Sequence, residues 1–106
     1  VMLEKLGIAE QMKAKTVTRP GGYIGTVVVA GEADIALQQI PELMAVPGLD
    51  LVGPLPAEVQ KVFETSVGLC TASDNTAAVQ AMIDFFANPE HTALFKTKGL
   101  EQVSRP

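Results

Sequence analysis

Pro20-Gly21-Gly22-Tyr23-Ile24-Gly25-Thr26-Val27-Val28-Val29-Ala30-Gly31-Glu32 is the stretch on which the reading of this chain turns. Local propensity makes Thr26 to Val29 a strand, because β-branched side chains fit a pleated surface. Its borders point the other way. A Gly-Gly start and an Ala30-Gly31-Glu32 stop look like the two ends of a helix. On propensity and punctuation alone, the segment stays ambiguous.

Outward from it, strand-like runs alternate with short helical ones. Residues 34–38 read as a buried strand through Ile35, Ala36 and Leu37. Ile40-Pro41-Glu42-Leu43-Met44 reads as one helical turn, with proline near its first position. A turn at Val46-Pro47-Gly48 leads to a strand over 49–52, closed by Gly53-Pro54-Leu55-Pro56. Residues 61–71 form a long strand candidate with Gly68 inside it. Asp74 or Asn75 can cap a helix over 76–87, whose apolar stripe is Ala78, Ala81, Met82, Phe85 and Phe86. Asn88-Pro89-Glu90 restarts a helix that carries Lys96 and Lys98 near its end and stops at Gly99. Towards the N-terminus, residues 1–6 end a helix at Gly7, and residues 8–12 form a second helical piece. Residues 15–18 are β-prone and end at Arg19-Pro20-Gly21-Gly22. Strands alternating with helices predict an α/β fold with a mixed, at least partly parallel sheet flanked by helices.

Composition narrows the function classes. The chain has 106 residues, of which 47% are hydrophobic and 19% charged, enough to predict a real core and to exclude a disordered tail. A net charge of −4 argues against nucleic acid as partner, since a binder neutralises phosphates with a basic stripe. The few aromatic residues leave little for base stacking. A lone cysteine, Cys70, closes no internal disulfide, and with one histidine no zinc site is expected. There is neither a bilayer-length apolar run nor a signal peptide at the start. Val1 precedes Met2, and Met2, Leu3 and Leu6 open mid-pattern, so an upstream part, including a signal peptide, is expected to be missing.

Candidate chemistry is sparse. Ser66 and Ser73 lack a nucleophile-elbow context, His91 falls in a first helical turn where a solvent-facing ring is expected, and Cys70 sits in an apolar run where a packing role is expected. Glu32 and Asp34 flank a turn, an ordinary place for acids. No nucleophile, base and orienting group come together, so the chain is expected not to be an enzyme, and no metal or cofactor is expected. Two sites suit a ligand. Gly21-Gly22 before a helix would let an anion approach unpaired N–H groups, or would simply be a turn. Gln38-Gln39 follow a strand, where ligands bind in open α/β sheets, or face solvent in a loop.

The order of segments is more specific than any one motif. Leu3-Glu4-Lys5-Leu6-Gly7-Ile8, Gly31-Glu32-Ala33-Asp34-Ile35, Gln39-Ile40-Pro41-Glu42-Leu43, Pro47 through Pro56, and Phe85-Phe86-Ala87-Asn88-Pro89-Glu90 through Leu100 occur in sequence. Together they resemble the C-terminal half of the molybdate-type periplasmic substrate-binding proteins of bacterial ABC importers. The resemblance implies part of a type II periplasmic binding fold. Residues 1–73 would be a second-lobe α/β segment including the return crossing strand. Residues 74–106 would be C-terminal helices that pack on a first lobe.

It also implies a helix over 22–30, with its first N–H groups facing the ligand, against the β-branched content of that stretch. By resemblance the ligand-binding residues are Gly21, Gly22, Tyr23, Gln38 and Gln39. The family's usual Asn-Val-Arg-like start is replaced here by Gly21-Gly22-Tyr23, and its usual tyrosine by Gln39.

The function implied is capture of a small, molybdate-like oxyanion in the periplasm for the membrane subunits of an ABC importer. The alternative is the effector-binding domain of a LysR-type transcription regulator, which shares the fold. An upstream signal peptide or an upstream DNA-binding helix pair separates the two. Apolar stripes on the last two helices imply that the chain by itself forms a homo-oligomer.

Overall fold

The computed structural model describes residues 1–103. The chain divides into two compact units, Val1–Lys61 and Val62–Pro106. The last three positions of the 74–106 segment, 104 to 106, lie outside the described residues.

The first unit holds four short helices: α1 (Met2–Lys5), α2 (Ala9–Lys13), α3 (Gly25–Val29) and α4 (Ile40–Met44). The ambiguous stretch is helical, although α3 is shorter than the 22–30 expected. Its stop is the one the punctuation announces. The Gly31 N–H donates to Val28 O at 2.9 Å and the Glu32 N–H to Val27 O at 2.9 Å, the paired bonds of a Schellman end. Gly31 takes φ +75°, a conformation where a side chain would crowd the following carbonyl. The same pair of bonds closes α1, from Gly7 to Glu4 and from Ile8 to Leu3, each at 3.0 Å.

Tertiary packing explains why four β-propensity residues accept a helix. Val27 is buried, and Gly25 lies against the segment that follows α4, where Val46 is also buried. A Cβ on Gly25 would stand 2.8 Å from Leu49 Cδ2 and 3.3 Å from Val46 Cγ2. The helix thus brings its smallest residue to the closest contact. Fully burying a valine side chain is worth about 1.5–3 kcal/mol, enough to offset the summed helix-propensity deficit of the four residues, about 2–3 kcal/mol.

The expected mixed sheet is corrected by the structure: among the described residues there is no strand. Residues 15–18, 34–38, 49–52 and 61–71 run as irregular chain instead. The reason is physical. A helix satisfies its backbone groups within its own segment, whereas a strand needs a second backbone at ladder distance. Among the described residues none of these runs forms a ladder. The runs are not buried strands either: Ile35 is 80% exposed, and Val52 and Val62 are exposed too. The expected core is small, with Val27 and Val46 as its buried hydrophobic members among the described residues.

The second unit is built on α5 (Thr76–Ala87), a three-turn helix. A 3-10 turn (Pro89–His91) follows, and then α6 (Thr92–Thr97). Asn88 caps the restart, its Oδ1 accepting the Glu90 N–H at 3.0 Å. Gly99 and Leu100 close α6 on Lys96 O and Phe95 O, each at 3.0 Å. The carboxamide of Gln102 donates to Phe86 O and Asn88 O, both at 2.9 Å, and so satisfies carbonyls that a helix end leaves open. Met82, Phe85 and Phe86 of the apolar stripe are each a little under half exposed.

Candidate functional site

The five residues expected to bind a ligand lie at the two ends of one tethered arrangement in the first unit. Gly21 and Gly22 form the turn before α3, with open space where side chains would be. Gly22 adopts φ +83°. Tyr23 is about half exposed, and its carbonyl accepts both the Thr26 N–H at 3.1 Å and the Thr26 hydroxyl at 2.7 Å.

Gln38 reaches back across the intervening helix to this turn. Its Oε1 accepts the Ile24 N–H at 2.9 Å, and its Nε2 donates to Gly22 O at 3.0 Å. The oxygen and one N–H of a single carboxamide therefore hold the backbone on either side of Tyr23. Gln39 does a different job. Extended at φ −60° and ψ 142°, it is the N-cap of α4, and its carbonyl accepts the N–H groups of Glu42 at 3.0 Å and Leu43 at 3.1 Å. Its side chain is exposed.

A third tether sits just upstream. The Arg19 guanidinium pairs with Glu32 at 2.9 Å and joins the approach to the turn to the residue that closes α3. Both ends of the 19–24 segment are thus fastened by side chains. Sequence reading weighed Glu32 only as an ordinary turn acid and gave Arg19 no role. Opposite charges flanking a helix would have been the signal.

Elsewhere the placements differ from expectation. Cys70 is exposed, not packed. His91 is only partly exposed: its Nδ1 lies 2.7 Å from Phe85 O and its ring stacks on Phe85 with centroids 4.0 Å apart. It acts as a clasp between α5 and the turn that follows. The Lys13–Glu10 pair, at 3.4 Å, borders a shallow groove that also touches Leu3, Ala9, Thr16 and Thr18. None of the five expected ligand residues lines that groove. Among the described residues no three His, Cys, Asp or Glu side chains gather where they could hold a metal, and no helix is long and apolar enough to cross a membrane.

Residues 1–101 match the family model of the bacterial extracellular solute-binding proteins. The chain belongs to that family. The family is described as one of extracellular solute-binding proteins, a description that sets it outside the cytoplasm. The earlier resemblance holds at the level of a bacterial solute-binding protein.

A curated relative, the aconitate isomerase of a Pseudomonas species, is 30% identical over 103 residues. The alignment covers 97% of this chain and 39% of that protein, so the chain spans well under half the length of its relative. No solved structure matches the chain. The relative overturns the expectation that the chain is no enzyme. That expectation came from looking for a nucleophile, a base and an orienting group, and such a search is blind to reactions that use a different set.

Proposed function

We propose that this solute-binding chain recognises a small anion bearing several carboxylate or oxyanion oxygens, that aconitate is the first candidate, and that its activity is of the isomerase kind. The observation that carries this reading is the relative named for aconitate, aligned along nearly the whole chain. Gly21, Gly22, Tyr23, Gln38 and Gln39 are the proposed site. Two glycines with open space let an anion approach the backbone, and the Tyr23 hydroxyl adds a donor suited to a carboxylate oxygen. Gln39, exposed beside the N-terminal turn of α4, offers a neutral amide donor.

A second reading is favoured by the family's description as extracellular. In it the ligand is a molybdate-like oxyanion, and the partner is the membrane subunits of an ABC importer. The two readings divide on ligand chemistry, because a tricarboxylate presents spread, planar oxygens and a tetrahedral oxyanion presents compact ones.

Titration of the isotope-labelled protein with aconitate, citrate and molybdate, followed by NMR, tests both. The first reading expects aconitate to shift the amides of residues 21–23 and 38–39, and the geometry of added aconitate to change on incubation. Shifts with molybdate alone would favour the importer reading. No response at these residues to any of the three anions defeats the site.

A further inference from the structure

We propose that Gln38 is the positioning residue of the anion-binding turn, not one of its ligand contacts, and that it acts by presenting Tyr23 to the ligand. The inference rests on the anion-binding reading above and assigns the division of labour within it. A carboxamide has one acceptor oxygen and two N–H donors. In Gln38 the oxygen holds the Ile24 N–H and the nitrogen holds Gly22 O, so the side chain brackets Tyr23 by the backbone groups on both sides of it.

The bracket spans 14 and 16 residues of sequence, which makes it a long-range tether. Gln38 is half-buried, while Tyr23 beside it is the exposed member of the group. Gly22 at φ +83° has no side chain to define its conformation, so the turn depends on an external clamp more than a turn of bulkier residues would. A ligand that took the Gln38 oxygen or its clamped N–H would have to break this clamp first. A ligand that meets the Tyr23 phenol finds the backbone that carries it already held, and preorganisation raises affinity by lowering the ordering cost of binding.

The chemistry of the chain supplies a reporter. Tyr23 is the one tyrosine, and there is no tryptophan, so intrinsic fluorescence reads this turn alone. Four proteins are compared: the parent, Gln38→Ala, Gln38→Glu and Tyr23→Phe. Amide hydrogen exchange at Ile24 and Tyr23 anisotropy are measured without ligand, and aconitate affinity is measured by NMR titration. Gln38→Ala is expected to speed Ile24 exchange and to lower Tyr23 anisotropy, with affinity falling about tenfold. Gln38→Glu keeps an acceptor for Ile24 but sets a carboxylate oxygen against Gly22 O and a negative charge beside the anion, and is expected to recover part of the Ile24 protection without recovering affinity. Tyr23→Phe is expected to lose affinity with Ile24 exchange unchanged.

Affinity lost in Gln38→Ala while Ile24 exchange stays at the parent value would make Gln38 a direct contact and overturn the proposal. So would a loosened turn with unchanged affinity. A parent protein that binds no aconitate, with Ile24 exchange still accelerated in Gln38→Ala, defeats the anion-binding reading and the ligand half of this inference, and leaves the clamp as a structural fact. Circular dichroism of each variant keeps loss of fold separate from loss of clamp.

Discussion

The two units reach helical structure by different routes. In Val1–Lys61 no helix exceeds five residues, and α3 is held from outside: Gln38 clamps its entrance, the Arg19–Glu32 pair ties its two flanks, and Val46 and Leu49 close on Gly25. In Val62–Pro106 the twelve-residue α5 is long enough to approach independent stability, and its end is finished by Asn88 and His91, close in sequence, with Gln102 reaching back 14 and 16 residues to add two bonds. Short helices are therefore the better place to find tertiary tethers, because a single turn cannot offset its own nucleation cost. The proposed ligand turn lies in the tethered unit.

The sharpest way to break this contrast is to enlarge Gly25. Gly25→Leu forces a side chain into the space of Leu49 Cδ2 and Val46 Cγ2. Overpacking of this kind costs about 1–3 kcal/mol or more. Chemical denaturation should show the loss, and hydrogen exchange should confine it to residues 1–61, with Thr76–Ala87 still protected. Equal loss of protection in α5 would mean that the two units do not differ in the way argued.

Matched glycines at the helix ends sharpen the comparison. Gly31 and Gly99 make the same pair of closing bonds in different units, at φ +75° and φ +73°. Alanine at either site should cost about 1–2 kcal/mol, by a left-handed backbone that a Cβ disfavours. Thermal melts of Gly31→Ala and Gly99→Ala should shift by similar amounts, since this term is local and does not depend on the surrounding tethers. A large inequality would show that tertiary contacts reach even the caps.

Gln102→Ala probes the finishing of α5. It removes the donor to both Phe86 O and Asn88 O, and with it the contact of Gln102 Oε1 with the Thr92 hydroxyl. Two carbonyls then turn to water, so the expected loss is about 1 kcal/mol, read as faster exchange near the C-terminal end of α5. No change would mean that α5 needs no help from its neighbours.

The smallest effect belongs to the most visible charge contact. Arg19→Gln breaks the pair with Glu32, but both side chains are about half exposed. An exposed pair contributes about 0–1 kcal/mol, and salt reduces it further. A double-mutant cycle with Glu32→Gln should give a coupling of a few tenths of a kcal/mol that fades with added salt.

Particular elements show how far the sequence could be read. The helix expected over 76–87 forms as Thr76–Ala87, and the turn expected over 40–44 forms as Ile40–Met44. Asn88, Pro89 and the closing glycines stand where their backbone preferences require. The strands failed for one shared reason: β-branched and apolar content records what a residue tolerates, and a ladder needs a partner that no local window contains. In the candidate site the Gly-Gly turn was legible. The part played by Gln38 was not, because its two bonds join residues 14 and 16 positions apart.

The glycine stops and the Asn88 restart were settled by the chain alone, since the groups that satisfy them lie within a few residues: a proline without an N–H, a glycine free to turn left-handed, an asparagine oxygen two residues from its donor. Whether Thr26-Val27-Val28-Val29 would be strand or helix, and what the Gln38 carboxamide would hold, was decided only by the tertiary structure. There the outcome depended on Val46 and Leu49 meeting Gly25, and on the turn at Gly22 coming within reach of Gln38. Local preference is worth a few tenths of a kcal/mol per residue, and contacts that close a long stretch of chain outweigh it.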